Sequence, residues 1–297
     1  MPAHANSNAY LLLFLTMTFW GGNAVAGRIG AAEASPVTLT MLRWVFACSI
    51  CFLMAHKQIR ADWPALKRTW PVLFGLGSIG FAGFNLMYYW ALHHTTALNV
   101  AIIQAVLPIM IVGLNFIFFG QRLRWVQMLG VLITMVGAAI IVAHGDLGSL
   151  LSLAFNQGDL IMIGALALYA IYTVVLRFKP TLHWLSVLFG LSLGALLTVA
   201  PFFAAELVWG DPQWPGIDGW LVVAYIAIFP SLIAQSCFIR AIELVGPNRA
   251  GAFVNLTPVM GSLLAILILG EKLEVYHVVA LLLVFAGLAV VERFAHK

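Results

Sequence analysis

The sequence predicts an all-α integral membrane protein with ten transmembrane helices in two inverted five-helix repeats. Three observations lead there. Hydrophobic residues make up 63% of the 297 and charged residues 9%, whereas a soluble domain carries roughly 25% charged residues. Apolar runs of about 20 residues, the length that crosses roughly 30 Å of hydrocarbon, recur along the whole chain. Finally, residues 70–142 align without a gap on residues 220–292. That register places Trp70 on Trp220, Ala91 on Ala241, Pro108 on Pro258, Gly120 on Gly270, Leu123 on Leu273 and Gly137 on Gly287.

The apolar runs place spans 1 to 5 near residues 10–30, 38–55, 71–92, 97–119 and 125–143. Spans 6 to 10 follow near 159–177, 184–207, 219–241, 249–269 and 275–293. The longest connections are 56–70 and 206–219, too short for a separate soluble domain. Five spans per repeat is an odd number, so the second repeat must be upside down relative to the first, about an axis in the membrane plane. The halves divide as 1–148 and 149–297, with a joint at His144–Gly158 where Gly145, Asp146, Gly148, Ser149 and Asn156 interrupt the hydrophobic pattern.

Basic residues set the orientation. Lys57, Arg60, Lys67, Arg68, Arg122, Arg124, Arg177, Lys179, Arg240, Arg249, Arg293 and Lys297 fall on the face shared by the two termini. Arg28 and Lys272 fall on the other, and Arg43 lies inside a span. Lys and Arg accumulate on the cytoplasmic side, so both termini are expected there, in a bacterial inner membrane. The net charge of +4 is therefore topological, and it is spread over short loops with no dense patch for nucleic acid. Trp63, Trp70, Trp125 and Trp184 fit an inner aromatic belt, and Trp90, Trp209, Trp214 and Trp220 an outer one. The first apolar run is too long for a signal-peptide core and is expected to remain as a span. Cys48, Cys51 and Cys237 lie within spans at no metal or disulfide spacing and read as packing residues.

Three apparent motifs are set aside. Gly75-Leu76-Gly77-Ser78-Ile79-Gly80 has the spelling of a dinucleotide fingerprint, but that fingerprint needs a strand before it, and here it lies within a span. Gly190 and Gly194 read as a small-residue packing pair. His93-His94 has no accompanying Cys, Asp or Glu cluster and reads as interfacial. Neither a metal nor a cofactor is expected.

The polar residues inside the spans carry the functional signal. Asn85, Gln104, Asn115, Tyr169, Tyr172, Gln235, Asn255 and Thr257 interrupt apolar stretches, and each must find a partner or line a wet cavity. Asn85 corresponds to Gln235 at the offset of 150. Gln104 and Asn255 correspond within one residue, which suggests a polar path between spans 3, 4, 8 and 9. Trp20 and Asn23 in span 1 face the same region, and Trp20 meets Tyr169 at an offset of 149. Pro108 and Pro258 lie at matching depths and are expected to kink spans that act as gates.

Arg43-Trp44, Tyr88-Tyr89-Trp90-Ala91-Leu92, Pro108 and the turn Gly120-Gln121-Arg122-Leu123, repeated as Gly270-Glu271-Lys272-Leu273, resemble the EamA-type repeat of the drug/metabolite transporter superfamily. The repeat is present twice over nearly the full chain. Glu271 keeps the acidic residue usual in that turn, whereas Gln121 departs from it. The resemblance implies a transporter rather than an enzyme, and within the family the chain resembles bacterial exporters of aromatic amino acids. Every Asp and Glu falls near a span end or in a loop, unlike the mid-membrane carboxylate expected of a cationic-drug/proton exchanger. A small zwitterionic solute suits the amides and aromatic residues better, with Tyr89 added to the candidate lining and Arg43 as partner for a carboxylate. Other small metabolites or nucleotide sugars are the alternative cargo. An enzyme acting on lipid-linked substrates would need a nucleophile–base pair or metal cluster, and none is visible.

Overall fold

The computed structural model describes residues 3–95, 100, 103–146, 148, 156–210, 212–269 and 272–294. Gly270, Glu271, the Arg28 side chain and most of the 144–158 joint lie outside the described residues. Among those described, the regular structure is helical throughout. The helices are α1 (Ala3–Glu33), α2 (Pro36–Leu76), α3 (Phe84–His94), α4 (Leu107–Phe119), α5 (Trp125–Val142) and α6 (Gln157–Val175). They continue as α7 (Trp184–Trp209), α8 (Ile217–Ile228), α9 (Gln235–Val245), α10 (Pro247–Phe253), α11 (Leu256–Leu269) and α12 (Val275–Arg293). Six stretches of the described residues are long and apolar enough to cross a membrane, and α4 is a shorter apolar helix.

Local chemistry sets the ends. Ser35 accepts from the Thr38 amide at 3.2 Å with Pro36 in the first helical turn, which starts α2. Asn156 and Asp159 exchange backbone-to-side-chain bonds as a capping box at the start of α6. Thr95 adds a hydroxyl bond to Asp159 at 2.6 Å. This buried carboxylate is thus consumed as a cap. α4 ends on Gly120, whose φ of 64° would strain any residue with a Cβ.

The expected 56–70 connection is itself helical, and helical backbone runs from Pro36 to His94. A straight helix would set Arg43 and Asn85 about 63 Å apart, yet their side chains meet at 3.1 Å and Trp44 stacks on Phe81 at 4.8 Å. The chain therefore reverses between them, in the stretch holding Lys57, Arg60, Pro64, Lys67 and Arg68. Apolar patterning separates two spans here, whereas the helical backbone continues through the turn between them.

Two π-helical segments, Gly77–Gly83 and Phe229–Ala234, precede α3 and α9. They overlap at the offset of 150 residues found in the sequence. In the second, Pro230 has no N–H for the Ile226 carbonyl, and the Ser231 hydroxyl donates to that carbonyl instead, at 2.6 Å. In the first, the Asn85 amide donates to the Phe81 carbonyl. The widened turns leave carbonyls that polar side chains must satisfy.

The two halves interlock. α1 packs on α8, α9 and α11, while α6 packs on α3 and α4. α5 and α12 cross at backbone contact: Gly130 backs onto Gly287, and Gly137 onto Ala280. Numbers fall along one helix as they rise along the other, so these helices are antiparallel. The two contacts are related by the same 150-residue offset. Elsewhere Gly77 seats on Leu191, Gly190 on Leu73 and Gly194 on Phe74, so the small residues serve close packing within the chain. Gly75, by contrast, has open space beside it.

Candidate functional site

The polar groups of the interior converge on one cavity, with about 830 Å³ of atom-free space counting its mouth. α1 supplies Trp20 and Asn23, α2 supplies Arg43, and α3 supplies Phe84, Asn85 and Tyr88. Gln104, Ala105 and Leu107 come from the start of α4 and the turn before it, and Leu166 and Tyr169 from α6. The far wall is Gln235 of α9 with Val254, Asn255, Thr257 and Pro258 at the α10–α11 junction.

Arg43 is the electrostatic centre. It is 3% exposed and donates through Nε to Ser231 Oγ at 2.6 Å and through one terminal nitrogen to Asn85 Oδ1 at 3.1 Å. The Tyr89 hydroxyl lies 3.5 Å from the same nitrogen, and the guanidinium carbon sits 5.4 Å from the Trp44 ring centre. Every one of these partners is neutral, and none of the ion pairs among the described residues involves Arg43. A buried cation held by neutral dipoles and a π face retains an uncompensated positive field. Ser231 is fully committed, since its hydroxyl accepts from Arg43 while donating to the Ile226 carbonyl. The second half of the chain thus holds the guanidinium of the first.

In the same cavity wall, the Asn23 and Gln235 amide oxygens and the Tyr169 hydroxyl are buried without a hydrogen-bond partner. Orphaned polar groups in a membrane interior are unfavourable, and here they face space that a ligand could fill. The apolar part of the wall is aromatic. Trp20 meets Tyr169 edge-on at 5.8 Å between ring centres, and Tyr169 meets Phe84 at 4.9 Å. The indole N–H of Trp20 points to the Pro230 carbonyl at 3.4 Å, a carbonyl of the π segment. Asn255 lines the cavity and also donates to Thr134 at 3.0 Å, so it serves as an interhelical bond as well.

Four sequence candidates, Tyr89, Tyr172, Asn115 and Pro108, lie outside the lining. Tyr89 is turned behind Arg43 into an apolar cluster with Leu39, Leu42 and Val222, because adjacent helical residues point about 100° apart and Tyr88 takes the cavity side. The Tyr172 ring is buried on Gly80, which has no side chain to displace it. Pro108 is buried in the first turn of α4, directly after the Ala105–Val106 turn. Pro258 occupies the first turn of α11, after a matching turn at Val254–Asn255. Both prolines therefore stand where a helix restarts after a break, where a missing N–H costs nothing, and not in the middle of a kink. Phe84, Tyr88, Leu107, Leu166 and Val254 are lining residues that the polar pattern did not select. Only Tyr88, in the Tyr88-Tyr89-Trp90 run, carried a signal.

Toward the face bearing Arg122 and Arg124, a second polar cluster ties α4 to α10. Buried Asn115 donates to Gln121 at 2.7 Å and to Asn248 at 2.8 Å, and it accepts from Arg177, whose guanidinium lies over the Phe119 ring. Lys179 and Glu243 form an ion pair beside it, to which Arg240 contributes at 2.6 Å.

A helical bundle that encloses a polar cavity between two related halves has the architecture of a secondary transporter. The EamA-like transporter family model matches residues 7–143 and again residues 156–293, and the chain belongs to this family. It is a multi-pass membrane transporter. Among its relatives is YyaM of Bacillus subtilis, an uncharacterized transporter, 23% identical over 94% of this chain and 92% of that one. Another is YetK of the same organism, also an uncharacterized transporter, 26% identical over 95% and 86%. The uncharacterized inner membrane transporter YedA of Escherichia coli is 26% identical over 92% and 87%. A solved crystal structure superposes with a TM-score of 0.78 at 21% identity, covering 97% of this chain and 98% of that one, which shows a shared fold.

Proposed function

We propose that the protein exports amino acids, aromatic ones in preference, across the bacterial inner membrane by alternating access around this cavity. The observation that carries the proposal is Arg43, a buried cation paired only with neutral groups and facing the cavity. A substrate carboxylate would complete it, and such charge-assisted contacts are the strong ones. The Asn23 and Gln235 amides and the Tyr169 hydroxyl suit an ammonium group, and the Trp20, Phe84 and Tyr169 rings suit an aromatic side chain. None of the lining residues is an Asp or Glu, so the substrate gradient itself is proposed as the driving force. Ten crossings are proposed, counting Pro36–His94 as two and adding α1, α4 and α11 to the other five apolar stretches, with both termini cytoplasmic. Repeats 1–148 and 149–297 are proposed to be inverted, a reading supported by the antiparallel α5–α12 crossing and the matched π segments.

The test is counterflow of labelled phenylalanine in sealed liposomes containing the purified protein. The expected result is protein-dependent exchange that tryptophan inhibits and that persists without a pH gradient. Exchange seen only with the gradient would contradict the uncoupled mechanism, and no exchange in either condition would remove the aromatic amino acid reading.

A further inference from the structure

The structure points to a second, anionic site, distinct from the transport cavity. We infer that the cleft between the Gly120–Arg124 turn and α10 binds the phosphate headgroup of an anionic phospholipid and thereby braces the Asn115-centred contact between α4 and α10. The inference does not depend on which solute is carried.

The cleft holds about 850 Å³ of atom-free space and is lined by Gln121, Arg122, Arg124, Asn248 and Arg249. Arg249 is paired with Glu292 at 3.5 Å. Arg122 and Arg124 take part in none of the ion pairs among the described residues, so the cleft is left with a net positive charge. The Arg122 guanidinium carbon sits 5.6 Å from the centre of the Phe116 ring, which is itself exposed, so this cation lies over the surface that lipid tails would touch. Two arginines lining one space are suited to phosphate oxygens.

The source of the phosphate follows from what adjoins the cleft. α5 starts at its edge with Trp125, 86% exposed, and Leu129, Leu132 and Val136 continue one exposed strip at helical spacing. A headgroup in the cleft would lay its acyl chains along that strip, whereas a free phosphate would have no use for it. Basic pockets between helices at the membrane surface are general sites for anionic headgroups.

Position then supplies the consequence. Gln121 and Asn248 line the cleft and are also the two groups that accept from Asn115. An anion bridging Arg122 and Arg124 to the α10 side would hold these two segments together from outside, while Asn115 and Arg177 hold them from within. Lipid binding is therefore expected to stabilise the contact between α4 and α10.

The test uses the purified full-length protein in detergent, titrated with phosphatidylglycerol or phosphatidylcholine. Bound lipid is read by native mass spectrometry, and amide exchange is followed over residues 247–253. Wild type should retain phosphatidylglycerol in preference to phosphatidylcholine, with slower exchange over 247–253 when it is present. Taking each surface arginine as worth roughly a factor of five, the Arg122→Gln/Arg124→Gln variant should weaken phosphatidylglycerol retention about thirtyfold and lose the exchange protection. An Arg60→Gln/Arg68→Gln variant, altered elsewhere in the basic complement, should behave as wild type. Equal retention of the two lipids by wild type would overturn the inference without recourse to any variant. So would an equal loss in the Arg60/Arg68 control, or the same protection from inorganic phosphate alone, which would make the ligand a free anion.

Discussion

Replacing Arg43 with glutamine is expected to lower phenylalanine counterflow by between about thirtyfold and several thousandfold, the equivalent of about 2–5 kcal/mol for losing one partner of a buried charge pair. The size follows from the surroundings. Arg43 is 3% exposed and two of its five N–H donors hold it on Ser231 and Asn85, so a carboxylate reaching it meets an oriented cation with donors to spare in a poorly hydrated site. The variant should nonetheless fold. Arg43 has no carboxylate partner within the described chain, so its removal strands no buried counter-charge. Glutamine can still donate to Ser231 or Asn85. Thermal midpoints of wild type and variant in detergent should therefore agree within a few degrees while transport is lost. Lysine should restore only part of the rate, because a single ammonium cannot reproduce the guanidinium fork that spans two acceptors and a ligand. A variant that keeps wild-type counterflow would show that Arg43 only ties α2 to the second half.

A Gly287→Leu substitution is expected to have the largest effect on folding. A Cβ at Gly287 would lie 2.5 Å from the Gly130 carbonyl oxygen, and one at Gly130 would lie 2.7 Å from the Gly287 carbonyl oxygen. Each obstacle is backbone, so relief requires α5 and α12 to move apart as whole helices. Overpacking at one core site costs about 1–3 kcal/mol when side chains can adjust. Here the clash is with backbone, and separation would also loosen the Gly137–Ala280 contact beyond it, so the loss should exceed that range. The expected result is a strongly lowered thermal midpoint or no recoverable monodisperse protein. Gly75→Ala is the matched control. No atom lies within 4 Å of a Cβ there, and alanine is favoured over glycine in a helix by about 1 kcal/mol. Equal tolerance of both substitutions would contradict the close α5–α12 crossing.

These two sites show what was legible in the sequence. The repeat offset relates the Gly130–Gly287 and Ala280–Gly137 contacts, and it also relates the two π segments, although nothing in composition announced a π turn. Pro230 within an apolar span was a local signal for the second of them. Within the cavity, Trp20, Asn23, Arg43, Asn85, Gln104, Tyr169, Gln235, Asn255, Thr257 and Pro258 were all visible as polar, aromatic or helix-breaking interruptions. Their roles toward a substrate remain the proposal made above. Phe84, Leu107, Leu166 and Val254 were illegible, because an apolar residue lining a cavity looks the same in sequence as one facing lipid. Tyr89 and Tyr172 erred in the opposite direction. A polar tip on an aromatic ring can be turned away from the cavity by a single helical step, or drawn aside by a facing glycine such as Gly80. The reversal between Arg43 and Asn85 was legible as the polar interruption at 56–70, but that the connection would itself be helical was not, because residues 36–94 keep helical backbone throughout.

The central claim is that Arg43 anchors the carboxylate of an amino acid inside the cavity. It is tested most directly by competition in the counterflow assay between phenylalanine and its carboxylate-free analogue phenethylamine. Unlabelled phenylalanine should displace the labelled substrate, whereas phenethylamine should fail to do so at concentrations about thirtyfold higher or more. Equal inhibition by phenethylamine would contradict the account, since the cation at the centre of the cavity would then have no part in recognising the substrate.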